Sequence, residues 1–411
     1  MNFKLKIRLI GFWIAIFALS VLSGCAVDSK NKLKSRALIT SRTEVMVKVQ
    51  TANNIALMLP LKGKDSLAGR AVKNGFLAAY YELGSGSDIN IKVIDTSAGE
   101  LLELYQQAVA DGAQLIVGPL LKEQVNKLTR FGELPVPTIA LNTLDNYEQN
   151  YQVNLFQFGL SPQDEATQIA IKMMQQGSDR CAIIIPEDDW GSKISNSFKR
   201  QYLALGGEAV AILRYKANQN LAEQLCPFLA EDEETLCAKK KPTTEQIKEK
   251  KPVLTTRRQD INSIFIVANP SEARQLVPLL KFYYAGDLPT YAFSSIYSGV
   301  SIPSLDLDLN GIYFCDLPWV IGSDQLLSNE LHDLYQKIAL AWGGNFNNHL
   351  RLYALGVDAY QLAVKFPSFL KRADSGMPAA TGKLYLDGFN HVYRELPWAT
   401  IKNGKPVIIE I

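Results

Sequence analysis

Histidine and cysteine are scarce in this 411-residue chain, which holds three of the first and five of the second. His332, His349 and His391 lie far apart, in none of the spacings that gather ligands around a metal. G-x-S-x-G, P-loop and G-x-G-x-x-G segments are missing as well, and Gly84-Ser85-Gly86 reads as a turn. These gaps remove the usual sequence supports for hydrolytic, nucleotide and metal chemistry, so we expect no enzyme, no metal and no cofactor. Neither sign of charge is in excess, with 43 Lys and Arg against 41 Asp and Glu. Such a surface has no global field to draw in nucleic acid, and none is expected as a partner.

No apolar run reaches the roughly 20 residues of a membrane-spanning helix. Lys4, Lys6 and Arg8 do precede a shorter run, Leu9–Leu22, which closes on Leu22-Ser23-Gly24-Cys25. That order of basic, apolar and small residues reads as a signal peptide over residues 1–24. The closing residues resemble a lipobox, so Cys25 is expected to carry the lipid of the processed chain. Ala26 rather than Asp follows it, which favours the outer membrane with the protein facing the periplasm. Residues 25–50 are polar and aperiodic and read as a lipidated flexible tether.

From residue 55 onward the pattern alternates between strand and helix. Ile55–Leu61 is continuously apolar, as a strand buried on both faces must be. Ala68, Ala71, Val72, Gly75, Phe76 and Ala79 then recur at helical spacing, with small residues that permit close packing. Strands at 89–94, 115–117 and 138–141 and helices at 101–109 and 125–131 continue the rhythm, and Phe156–Phe158 is followed by a second series. Ser161-Pro162 with Asp164-Glu165 signals the start of a helix. The expected fold is α/β, with two doubly wound parallel-sheet lobes and multiple crossovers. Lobe 1 is expected over 51–158 plus 296–372 and lobe 2 over 159–295 plus 373–411. A polar insertion is expected at 216–260, where acidic and lysine-rich runs interrupt the rhythm.

Two such lobes resemble the type I periplasmic-binding-protein fold. Ile55–Leu61 with Gly69–Tyr81, then Val117-Gly118-Pro119-Leu120 and Arg394–Ala399, are similar to the LppC family of lipoproteins. The similarity runs from about residue 53 to the C-terminus. It implies a non-enzymatic outer-membrane lipoprotein that binds and regulates a peptidoglycan synthase, a class A penicillin-binding protein, in the periplasm. Family members usually carry a helical-repeat domain ahead of the lobes; here the tether takes that place. The alternative is a membrane-tethered periplasmic solute-binding or sensing protein.

Cys226 and Cys237 lie close together in the insertion and are candidates for a disulfide in an oxidising compartment, whereas Cys181 and Cys315 sit in apolar strands as buried thiols. Candidates for the interlobe cleft are Lys62, Asn142, Thr143, Trp190 and Tyr297. The loop Gly118-Pro119-Leu120-Leu121 offers few donors to a ligand carboxylate, so a small-molecule ligand is possible but unsupported. Glu187, Asp188 and Asp189 before Trp190-Gly191 read as a structural turn.

Overall fold

The computed structural model describes residues 51–84, 88–231, 237, 257–322 and 326–409. The signal peptide, Cys25, the tether and the acidic and lysine-rich runs of the insertion (232–234 and 239–251) lie outside the described residues.

The first sheet starts with β1 (Asn54–Leu59), β2 (Asn90–Asp95), β3 (Leu115–Val117), β4 (Thr138–Ala140) and β5 (Leu155–Phe158), all parallel. Beyond Asn54 every residue of β1 is buried, because the strand is covered by helices on both faces. The helices are α1 (Ser66–Leu83), α2 (Leu101–Ala110) and α3 (Lys122–Leu128). The chain then passes through α4 (Pro162–Gln175) into a second parallel sheet with β6 (Arg180–Pro186), β7 (Glu208–Tyr215), β8 (Ser263–Ile266), β9 (Thr290–Ala292) and β10 (Tyr313–Cys315). Its helices are α5 (Asp189–Ala204), α6 (Leu221–Leu229) and α7 (Pro270–Phe282). Among the described residues no helix is long and apolar enough to cross a membrane.

A kinked helix, α8 (Asn329–Val364), returns to the first lobe and packs on α1. A Cβ on Gly75 would lie 2.1 Å from the Tyr353 carbonyl oxygen, and one on Gly356 the same 2.1 Å from that of Val72. The two helices therefore meet backbone to backbone, which the small stripe in α1 makes possible. The C-terminal segment supplies β11 (Met377–Ala379), β12 (Gly382–Leu386), β13 (His391–Glu395), β14 (Trp398–Lys402) and β15 (Lys405–Ile408). The sheet orders are β11-β12-β13-β5-β4-β3-β1-β2 and β15-β14-β10-β9-β8-β6-β7.

The lobe boundaries expected from sequence need correction. Within 296–372, β10 belongs to the second sheet, between β9 and β14, and α8 belongs to the first lobe. Within 373–411, β11–β13 join the first sheet, where His391 pairs with Gln157 and Val392 with Phe158; only β14 and β15 reach the second. The reason is edge protection: β5 and β10 would each leave a row of unpaired backbone groups, and the tail divides to cover both. The chain thus crosses between lobes three times, after β5, after β10 and after β13. The insertion is also narrower than 216–260. Leu221, Leu225 and Leu229 are buried on one face of α6, which packs on β7 and α7 as an ordinary connection.

Candidate functional site

The cleft forms where the ends of β3 and β4 meet the start of α5. Lys122, Asn142 and Thr143 line one side of a cavity of about 300 Å³, Trp190, Lys193 and Ile194 the other, and the first crossing forms its floor. The Asn142 amide is occupied at both ends, since its Nδ2 donates to the Leu120 carbonyl at 2.9 Å and its Oδ1 accepts from the Thr143 N–H at 3.0 Å. It fastens the loop after β3 to the loop after β4. The Thr143 Oγ1 is buried without a hydrogen-bond partner among the described residues. Lys122 is paired with Asp145. Opposite, Asp188 caps α5 by accepting from the Gly191 N–H at 2.6 Å, and Trp190 packs edge-on against Phe293. That carboxylate is occupied by helix capping, as an acid-aromatic-glycine turn implies.

Two cleft candidates lie elsewhere. The Lys62 carbonyl accepts from the Ser97 Oγ while the Leu61 N–H donates to Asp95, so this loop is drawn toward β2 and away from the cavity. Tyr297 is buried and lines a separate cavity with Trp319 and Tyr335. The Sγ atoms of Cys226 and Cys237 are bonded, while Cys181 and Cys315 are buried thiols.

Sequence reasoning missed a network of buried charge where the crossings converge. Asp316, fully buried just after β10, accepts from the Leu317 N–H at 2.7 Å and from the Arg351 Nε at 3.1 Å, with a second contact from Nη2. Arg351 comes from α8, and its Nη2 also donates to the Tyr297 carbonyl at 3.1 Å and the Ser294 carbonyl at 3.4 Å. Glu165 on α4 is buried and accepts from the Ser294 N–H at 2.6 Å and Oγ at 2.9 Å. Burial, then the nearby Asp316 charge, push its carboxyl up to about 8. Arg394 on β13 is buried among Asp164, Glu165 and Asp316, and burial depresses its pKa. Asp358 on α8 accepts from the Ala380 and Thr381 N–H groups at 2.8 and 2.6 Å, and burial raises it to about 6. His391 sits between Asp164, 3.1 Å from Nε2, and Asp387, 3.7 Å from Nδ1. Burial opposes its charge, but the two carboxylates prevail and raise it to about 9. One signal was readable: Tyr313-Phe314-Cys315-Asp316-Leu317-Pro318-Trp319 is an apolar run with a single acid inside it.

Burial pushes both thiols up, which suppresses thiolate reactivity, and among the described residues no group of His, Cys, Asp and Glu is placed to hold a metal ion. The family model described as "LppC putative lipoprotein" matches residues 42–404. The chain belongs to the LppC family. Penicillin-binding protein activator LpoA of Photobacterium profundum is 26% identical over 356 residues, which cover 86% of this chain and 56% of that protein. The chain therefore spans about half the length of the curated LppC relatives it matches. The LpoA (YraM) C-domain of Haemophilus influenzae, a regulator of PBP1A, is 26% identical and superposes with a TM-score of 0.67, covering 87% of this chain and 100% of that one. A solute binding protein of an ABC transporter from Rhodopseudomonas palustris, in complex with p-hydroxybenzoic acid, is 16% identical with a TM-score of 0.53, over 87% of this chain and 95% of that one. The last likeness concerns the fold alone, which is that of the type I periplasmic binding proteins.

Proposed function

We propose that this LppC protein is a non-enzymatic lipoprotein, anchored through Cys25 in the outer membrane, whose two lobes bind and regulate a class A penicillin-binding protein in the periplasm. The observation that carries this reading is the likeness to the H. influenzae LpoA C-domain, a regulator of PBP1A, over that chain's whole length. The hinge supports it. A regulator that presents a surface needs fixed lobes, and the Arg351–Asp316 pair ties α8 to the crossing after β10. The test is a pulldown of detergent-solubilised full chain against class A synthases from envelope extract, beside synthase activity with and without the chain. Capture with no ligand added, and a changed rate of glycan polymerisation or crosslinking, is expected; failure of both overturns the reading.

A second reading, a tethered solute-binding or sensing protein, draws on the unpartnered Thr143 hydroxyl in the cleft. A thermal-shift screen with amino acids, muropeptides and sugars separates the two. A saturable shift lost in Asn142→Ala or Thr143→Ala, with no synthase captured, would favour the receptor.

A further inference from the structure

A groove of about 540 Å³ runs between α4 and the β12–β13 hairpin. Strand alternation places His391, Tyr393 and Glu395 on one face of β13 and turns Val392 and Arg394 to the other. Tyr385 on β12 is the cross-strand neighbour of Tyr393, and their rings stack at 5.4 Å with 12° between planes. The ladder continues from Tyr393 to His391 at 6.4 Å and from His391 to Tyr147 at 4.3 Å, and the Lys383 ammonium caps its other end, 5.2 Å from the Tyr385 ring centroid.

Carboxylates surround this aromatic ladder. Asp164, Asp387 and Glu395 line the groove. Glu148 and Asp374 lie near enough to help hold the Tyr147 and Tyr393 hydroxyls in their neutral form, behind the larger effect of burial. Of the nearby cations, His391 in the lining is enclosed by Asp164 and Asp387, and Lys383, outside the lining, sits over the Tyr385 ring at the end of the ladder. Arg394 also lines the groove, its buried side chain lying near the Asp164, Glu165 and Asp316 charges. Glu395 also accepts from the Tyr385 hydroxyl at 2.8 Å, and with Glu148 and Asp374 counted the carboxylates outnumber these cations beside exposed ring surface, Tyr393 being 39% exposed. A guanidinium or ammonium is attracted by both features, since aromatic faces and carboxylates each favour a cation.

We propose that this groove docks a basic, lysine- or arginine-bearing segment of a protein partner. The inference goes beyond the synthase reading and does not depend on it, because the groove's chemistry specifies a class of segment and not one protein. Its test uses no synthase. The full chain in nonionic detergent is titrated into a fluorescein-labelled hexa-arginine peptide at low salt, and anisotropy is read. Saturable binding is expected, weakened about tenfold by Tyr393→Ala and by Glu395→Gln, each removing one exposed element of the site. Glu103→Gln, on the distant exposed face of α2, should leave binding unchanged. Tyr393→Phe keeps the ring and should retain binding, so a folding defect in Tyr393→Ala does not decide the matter. Absence of saturable binding, or equal weakening by Glu103→Gln, overturns the proposal. So does saturable binding of chitotetraose that Tyr393→Ala abolishes, which would make the groove a glycan site.

Discussion

The crossings between the lobes have two sides, and they are built from opposite materials. Toward the cleft, the Asn142 amide is occupied in fastening loops and the Thr143 hydroxyl is left unpaired. Toward the hinge, Glu165, Asp316, Asp358 and Arg394 are buried, with Arg351 reaching in to Asp316. A receptor that closes on a ligand needs a hinge with two states of similar energy and donors that converge in its cleft. Here the Asn142 amide in the cleft is already occupied and the hinge holds charges that tolerate no half-broken state. The difference favours a domain that presents a fixed surface.

The sharpest way to break this comparison is to cut the hinge. Arg351→Met should leave Asp316 buried without its cation and cost about 3–5 kcal/mol of stability. Asp316→Leu should cost a similar amount, and the double variant should recover most of the loss, because an apolar pair of similar volume carries no desolvation penalty. Chemical denaturation of the four proteins measures the coupling. Additive losses would mean that the pair does not hold the lobes, and solution scattering of the double variant then reports whether they separate.

Local pattern carried the strands and helices of both parallel sheets, because a buried strand announces itself as an apolar run such as Ile55–Leu61. It could not carry the lobe membership of the tail. Lys383–Leu386 and His391–Glu395 alternate as strands do, but which open sheet edge they cover is decided by β5, more than two hundred residues earlier. The hinge escaped for the same reason. Arg351 looks like any charged position on a helix until Asp316 is placed against it, and Glu165 passes for a favourable acid in a first helical turn. In the cleft, three of five candidates gathered, and Lys62 was misplaced because its loop answers to Asp95 at the end of β2 and Ser97 in the turn after it.

A smaller effect follows from protons on the hinge side. Asp358 is raised from 3.8 to about 6, Glu165 from 4.5 to about 8 and His391 from 6.5 to about 9. Between each pair of values the folded chain holds a proton that the unfolded chain has released, so stability falls as pH rises. Each contribution is complete below the unfolded value and lost above the folded one. Between pH 6 and 9 the chain should lose stability, seen as a falling melting temperature. His391→Gln should flatten the upper part of that decline, above the range where Glu165 titrates. A melting temperature that rises over the same interval would contradict the sign.

The cleft side should answer more weakly still. Asn142→Ala removes two hydrogen bonds that join neighbouring loops and should cost about 1 kcal/mol without changing synthase capture.

Thr143→Val is the smallest and most discriminating change. The valine keeps the shape and removes a buried hydroxyl that has no partner among the described residues. Taking out an unpaired polar group is neutral or stabilising, by up to about 1 kcal/mol, because its desolvation cost disappears with it. If the hydroxyl instead serves a ligand, the unliganded chain should behave the same way while the ligand's thermal shift collapses. Melting curves of Thr143→Val with and without the screened compounds therefore separate an idle hydroxyl from a binding one. Loss of stability in the unliganded variant would show that the hydroxyl has a partner and would move the cleft toward the hinge in character.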